Sequence, residues 1–279
     1  MMCGAVAFLL LVVGTRTSSF KALDLKVQIN NSPFFTQGIF DYVWIVLITC
    51  FLTVPLLLLF YYGLTGFFEL QTTVYLAALN SLVLSLLSGL FGVLIAFSIS
   101  LWVGTSVTNS YGKYIEIFSI FILASSPIVM GTGIFLMLRA IISFEYITPL
   151  LVICVNATMS LPFMLRALIP AVCAVEQDLG RLADSLNITG FDRMRNIIFP
   201  RVASAMGLSF GIGSALSMGD LGVITLFSFG EFQTLPLAIY RLMLSYRIEH
   251  AFSAALLLIM ICFFLFHFFD LLGKYYASR

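Results

Sequence analysis

Charge is scarce in this sequence. Of 279 residues only 10% are Asp, Glu, Lys or Arg, against about 25% in a soluble domain. That scarcity excludes a solvated, disordered chain and a basic nucleic-acid binder. Cysteine is sparse too: Cys3, Cys50, Cys154, Cys173 and Cys262 stand far apart, with no C-x-x-C pair. A disulfide scaffold and a thiolate metal site are therefore not expected. Four of the five fall in or beside apolar runs, where small buried hydrophobes are the natural reading. The two histidines, His250 and His267, lie at opposite ends of one apolar run, too far apart to share a ligand. There is no H-E-x-x-H, no nucleophile elbow and no carboxylate cluster, so no catalytic or metal residue is assigned. No phosphate-binding G-x-x-x-x-G-K-[ST] occurs either. Gly112-Lys113 and Gly273-Lys274 lack the upstream Gly and the following Ser/Thr.

Apolar surface is plentiful. Hydrophobic residues make up 61% of the chain, with 28 Phe and 11 Tyr, and the mean hydropathy is +1.09. No water-soluble core of this length hides that much, and aromatics suit lipid and its interface. The chain is an integral membrane protein, and the expected fold is an all-α polytopic transmembrane bundle. A span needs ~20 mostly apolar residues. Six full spans are expected: Val43–Phe67, Leu79–Val103, Ile115–Leu138, Tyr146–Leu165, Val202–Phe227 and Ala251–Phe269. Leu70–Ala78 is expected as an external connection. A shorter apolar run, Cys3–Val13, has no preceding basic residue to make a signal peptide, and fits a short N-terminal span.

Cations orient the spans, because cytoplasmic loops are enriched in Lys and Arg. With the loop between the fourth and fifth full spans inside, only Arg139, Arg241 and Arg247 fall outside, and the other Lys and Arg lie inside. The C-terminus is then cytoplasmic, and residues 14–41, with Asn30-Asn31-Ser32-Pro33 at their centre, are a cytoplasmic linker ahead of a six-span domain over 42–279.

The longest polar interruption is Ala171–Arg201. Leu179, Leu182, Ala183 and Leu186 follow helical spacing and predict a short amphipathic helix. Asn187-Ile188-Thr189-Gly190 breaks it. Thr189 and Asp192 then fit a capping box that starts a second helix bearing Phe191, Met194, Ile197 and Ile198, and Pro200 closes the loop. Such a segment either lies on the membrane surface or seats its apolar residues in a groove of a soluble partner.

Here the chain resembles the inner-membrane permeases of ATP-binding-cassette (ABC) importers. Their hallmark loop runs Glu-Ala-Ala, three residues, Gly, nine residues, then Ile-x-Leu-Pro. Ile197-Ile198-Phe199-Pro200 matches its end, while Arg181-Leu182-Ala183 and Asn187 stand where the Glu and the Gly are missing. Asn tolerates a left-handed turn better than most residues. Further on, Ser217-Met218-Gly219-Asp220-Leu221-Gly222-Val223, Thr234-Leu235-Pro236 and Ser245-Tyr246-Arg247 resemble the C-terminal half of thiamine transporter permeases, as do Leu123–Gly133, Asn156–Pro162 and Ser185-Leu186. Those permeases carry two homologous six-helix halves. The resemblance thus implies that residues 1–13 are the end of a preceding half, and that the chain is one half of a truncated or split permease.

The implied function is import of thiamine or its phosphates across the bacterial cytoplasmic (inner) membrane. The chain itself would bind no cofactor and perform no catalysis. The implied partners are two copies of an ABC ATPase that uses the ATP, a periplasmic solute-binding protein, a second permease half (fused, separate or a second copy) and membrane lipid, with no nucleic acid. ATPase coupling falls on Leu179, Leu182, Ala183, Leu186, Asn187, Gly190, Ile197 and Pro200. Ferric iron, aminoethylphosphonate or polyamine cargo is the alternative within the class. An ion-coupled secondary transporter using Asp220, or a membrane protein with no transport role, are alternatives outside it.

Asp220 is the one ionisable residue expected at membrane depth, where a charge costs about 2.5–3.5 kcal/mol. With Gly219 and Gly222 beside it, it is either a translocation-pathway residue or a helix cap where the span breaks. Gly207, Gly211 and Gly213 are expected as close-packing contacts. Pro127 and Pro162 should kink their helices. Glu231 and Arg241, in the outer segment Ser228–Glu249, would either meet an external binding protein or lie in a solvated loop.

Overall fold

The computed structural model describes residues 37–67, 70–105, 110–138, 144–227 and 233–277. The expected N-terminal span at 1–13, most of the linker and Glu231 lie outside them. Among the described residues every regular element is helical. The helices are α1 (Gln37–Thr65), α2 (Thr72–Thr105), α3 (Ser110–Ala124), α4 (Pro127–Leu138), α5 (Phe144–Ser185), the single turn α6 (Gly190–Arg193), α7 (Phe199–Met218), α8 (Gly222–Phe227), α9 (Leu235–Leu244) and α10 (Ile248–Ala277). A π-helical turn, Met194–Ile198, joins α6 to α7. Five segments are long and apolar enough to cross a membrane, and α3 with α4 makes a sixth, bent by 90°. The break precedes Pro127, whose missing N–H starts α4 cleanly.

Several boundaries differ from expectation. α1 begins at Gln37, inside the segment assigned to the linker. α2 starts at Thr72, so most of Leu70–Ala78 is helix and not a connection. Its early turns have a partner: Ser81 Oγ accepts the backbone N–H of Leu235 at 2.7 Å and Asn80 Nδ2 donates to the carbonyl of Gln233 at 3.1 Å. The outer segment at 228–249 is likewise not only loop, since α9 lies within it and buries Leu235, Pro236, Leu237 and Ala238. Arg241 stays exposed on that helix. The span placed at Tyr146–Leu165 is part of the 42-residue α5, which runs without interruption through Pro162 and Pro170. The short amphipathic helix expected after it is the end of that same helix. The fifth span is divided, with α7 ending at Met218 and α8 starting at Gly222.

α7 is the hub, packed against α10, α5 and α2. Small residues let it in close. A Cβ on Gly207 would stand 2.4 Å from the Phe269 carbonyl oxygen, one on Gly211 3.0 Å from that of Phe266, and one on Gly213 would overlap Met164. The expected close-packing glycines therefore sit at helix crossings. α2, α5 and α7 share a core of Val93, Phe97, Leu161, Met164, Leu168 and Val202. Gly273 of α10 meets Ala203 and Gly207, so the C-terminal end of α10 lies at the same end of the bundle as the turn between α5 and α7. Among the described residues α1 packs to any extent only on α10, through Gly63 against Leu256 and the stacked rings of Tyr62 and Phe252. The rest of its surface is exposed. Cys50 and Cys154 are exposed on the bundle's outside and not buried as expected; a thiol is apolar enough to face lipid.

Candidate functional site: a clasped turn and a cavity at opposite ends of α7

The first site is the turn between α5 and α7. At 1.5 Å per residue, α5 is about 63 Å long, roughly twice the ~30 Å hydrocarbon core. The helix is therefore longer than the core can hold, and its charged C-terminal half extends past the apolar part. The helix stops in a Schellman closure: Ile188 N–H donates to the Ala183 carbonyl at 2.9 Å and Asn187 N–H to that of Asp184 at 3.1 Å. This closure needs one left-handed residue, and Asn187 supplies it at φ 54°. Gly190 follows at φ 62°. Thr189 has the extended backbone of an N-cap, but its side chain caps nothing. The left-handed glycine next to it takes the following N–H groups out of the register that a capping box requires, so that expectation fails. Pro200 sits in the first turn of α7 and not at the end of a loop.

Arg193 holds the turn together. Its guanidinium donates to Glu176 Oε2 and, at 2.7 Å, to Asp184 Oδ1. It lies over Gly180, where a Cβ would stand 3.0 Å from the guanidinium. Glu176 is the more enclosed partner, and its other oxygen is buried with no protein partner. None of these three was singled out from sequence. The signal was a glycine midway between two acids on one helix, with an arginine beyond the next turn.

Of the residues assigned to coupling, Ala183 is buried and Leu179 and Ile197 are half-buried. Leu182 and Leu186 are 56% and 62% exposed, and Phe191 is 67% exposed. The four positions read as one apolar face are thus divided, with Ala183 inward, Leu179 half-buried and Leu182 and Leu186 outward. Arg181, Asp184, Asp192 and Arg195 are exposed among them, so these apolar side chains stand among charges.

The second site lies at the far end of α7, about 30 Å away by its 20 residues. Two broken helices meet there. Ser125 and Pro127 come from the break between α3 and α4, Ser217 and Asp220 from that between α7 and α8, and Asn156 and Phe163 from α5. Together with their neighbours they line a cavity of about 450 Å³. Asp220 Oδ1 accepts the Gly222 N–H at 3.1 Å, which makes Asp220 a cap for α8 as well as a lining residue. Its Oδ2 is buried without a protein partner. Asn156 is buried and donates to Ser217 Oγ at 3.0 Å. Gly219 ends α7 and Gly222 starts α8, but nothing stands closer than 3.9 Å to a Cβ on Gly219. Its role is the break, not close packing. Among the described residues no three His, Cys, Asp or Glu converge as metal ligands.

A search of solved structures matches this architecture to a chain of a bacterial alginate ABC transporter, solved in complex with an alginate pentasaccharide-bound periplasmic protein. The TM-score is 0.67, over 87% of this chain and 96% of that one, at 16% identity. The fold is that of an ABC transporter permease. Sequence relatives carry the same word in their names. The thiamine transport system permease protein ThiP of Brucella abortus (strain 2308) is 40% identical over 141 residues, which is 50% of this chain and 26% of that protein. ThiP of Salmonella typhimurium is 30% identical over 200 residues, 70% of this chain and 37% of that one. ThiP of Escherichia coli (strain K12) is 32% identical over 155 residues, 56% of this chain and 29% of that one. The aligned stretches thus span between 26% and 37% of the length of these relatives. No protein-family model matches the chain.

Proposed function

We propose that the chain is a permease subunit, or half of one, of a binding-protein-dependent ABC importer in the bacterial inner membrane, with thiamine or its phosphates as cargo. The observation that carries this reading is the projecting end of α5. It presents Leu182, Leu186 and Phe191 to solvent on a turn that Arg193 clasps to Glu176 and Asp184. Exposed apolar side chains on a braced, charged element form a docking knob that needs a soluble partner. In this reading two ATPase subunits grip such turns and supply the hydrolysis, and the C-terminus is cytoplasmic because it lies at the same end. A periplasmic binding protein delivers cargo to the opposite face, and a second permease half completes the path. ATPase closure shifts the population between outward- and inward-facing states, and this chain makes and breaks no covalent bond in the cargo.

The likeness to the ThiP proteins supports thiamine over other cargo. The test is ATP hydrolysis in proteoliposomes holding the chain and its co-expressed ATPase, with and without thiamine-loaded binding protein. A longer form that includes a preceding half runs beside it. Stimulation by the loaded binding protein is expected. Silence in both forms, with the complex intact, removes thiamine as cargo. Transport that stops when the proton gradient is dissipated at constant ATP replaces the importer with an ion-coupled carrier.

A further inference from the structure

We propose that the cavity between the two broken helices is a binding site for an organic cation, with Asp220 as its counter-charge. The proposal deepens the transport reading and rests on it. It concerns which chemistry the permease itself recognises once a binding protein has let go.

Three observations converge on a cation. The first is an unspent carboxylate oxygen. Asp220 Oδ1 is engaged by the Gly222 N–H, while among the described residues Oδ2 is buried with no hydrogen-bond partner, the neighbouring amide of Asn156 donating to Ser217 instead. A buried oxygen of this kind costs free energy until a donor or a positive charge meets it. The second is the polarity of the lining. Among the described residues no Lys, Arg or His lines the cavity. The hydroxyl of Ser125 donates to the Ile122 carbonyl at 2.7 Å and that of Ser160 to the Ala157 carbonyl at 3.0 Å. Both serines thus spend their only proton on their own helix and leave oxygen lone pairs as what they offer a ligand. Of the polar lining groups, Asn156 donates to Ser217 Oγ and the Ser217 hydroxyl is a donor, while Asp220, Ser125 and Ser160 offer a ligand acceptor oxygens.

The third is size and surface. At about 450 Å³ the cavity is in the range of small-molecule sites, far larger than a desolvated metal ion needs. A calcium or magnesium ion asks for six or more oxygens with several carboxylates, and among the described residues Asp220 is the only carboxylate in the lining. The remaining wall is apolar, with Phe163, Met159 and Leu123. That mixture suits a flat, partly apolar body carrying one delocalised or quaternary charge, with the Phe163 ring available for stacking or cation–π contact. The placement fits as well. Broken helices expose backbone and admit polar side chains at depths where a continuous helix cannot, and transporter sites are built at such breaks.

The test is binding by isothermal titration to the full chain in lipid nanodiscs, outside any ATPase cycle. The probes are thiamine, benzyltrimethylammonium, and a thiamine analogue whose thiazolium is replaced by an uncharged ring of the same shape. The unaltered protein should bind thiamine at least tenfold more tightly than its uncharged analogue. Asp220→Asn should remove that preference, lowering thiamine affinity tenfold or more and leaving the analogue nearly unchanged, and Asp220→Glu should restore part of it. The comparison of charged and uncharged probes needs no variant, so it stands even if Asp220→Asn fails to fold. Equal binding of the two, unchanged thiamine binding by Asp220→Asn, or no binding of any probe overturns the proposal. Binding of benzyltrimethylammonium through Asp220 without binding of thiamine sustains the cation site and removes the thiamine cargo. Thiamine-stimulated ATP hydrolysis with no charge-dependent binding does the reverse.

Discussion

At the start of α7 Arg193 pairs with two carboxylates beneath exposed apolar side chains, whereas at its end Asp220 leaves a carboxylate oxygen open beside a packed apolar core. Around the turn, Arg193 joins Glu176 and Asp184 while Leu182, Leu186 and Phe191 face solvent. Around the cavity, Met218, Val223 and Ile224 are fully buried while Asp220 Oδ2 has no partner. Each end is incomplete in the currency that its missing partner would supply. An apolar surface among charges calls for a protein, because burial of apolar area is what a protein groove offers. A bare carboxylate oxygen among serine lone pairs calls for a positive ligand. One helix, closely crossed by its neighbours at Gly207, Gly211 and Gly213, ties the two demands together mechanically.

Breaking that tie should have the largest effect. Gly207→Leu places a side chain where even a Cβ lies 2.4 Å from the Phe269 carbonyl oxygen and 2.7 Å from the Gly273 Cα. A backbone crossing cannot yield as a flexible side chain does, so a cost of about 3 kcal/mol or more is expected. Both sites should fail together, seen as loss of monodisperse protein on size exclusion. Survival of either site alone would show that α7 is not their common support.

Arg193→Ala separates the two ends. It strips donors from two carboxylates, one of them largely enclosed, at a cost of about 2 kcal/mol. The damage should stay local. Limited proteolysis should cut faster near Leu186–Phe191 and ATPase stimulation should fall, with thiamine affinity unmoved. An equal fall in thiamine affinity would erase the contrast. Milder still for the fold is Leu186→Asp, at a side chain 62% exposed. Stability should change by no more than about 0.5 kcal/mol, yet co-purification with the ATPase should weaken sharply. Unchanged co-purification would sink the docking role. The smallest effect is expected from Asn187→Gly, which should gain about 0.5 kcal/mol in thermal unfolding because glycine enters the left-handed region freely. Asn187→Val there should lose about 1 kcal/mol.

Hydropathy made the membrane class and the general run of spans legible, because the apolar excess cannot be hidden in water. Breaks were legible where chemistry demands them: Pro127 at the bend of α3 and α4, Asn187 and Gly190 at the turn, and the glycines beside Asp220. Helix length was not. Arg166 ends an apolar count but not a helix, so α5 runs on to Ser185, roughly five more turns past the end of the expected span at Leu165. The start of α2 was hidden for the opposite reason. Nothing charged interrupts Leu70–Gly112, and the polar anchors Asn80 and Ser81 find their partners only at Gln233 and Leu235. Arg193 was missed because its partners lie two helical turns apart across a chain reversal, a pairing that no local spacing rule covers.

The packing of α1 has a consequence for biogenesis. Its extensive contact is with α10, the last of the described helices to leave the ribosome. At ~5–20 residues per second, the interval between the two is on the order of ten seconds or more. Through that interval α1 lacks the helix it packs against most. Insertion of α1 must therefore be driven by its own hydrophobicity, a mean hydropathy of 2.7 over its span, and not by the bundle it will join. The small surface of Gly63 and Gly66 stays open to be closed at the end of synthesis, when Leu256 and Ser253 arrive.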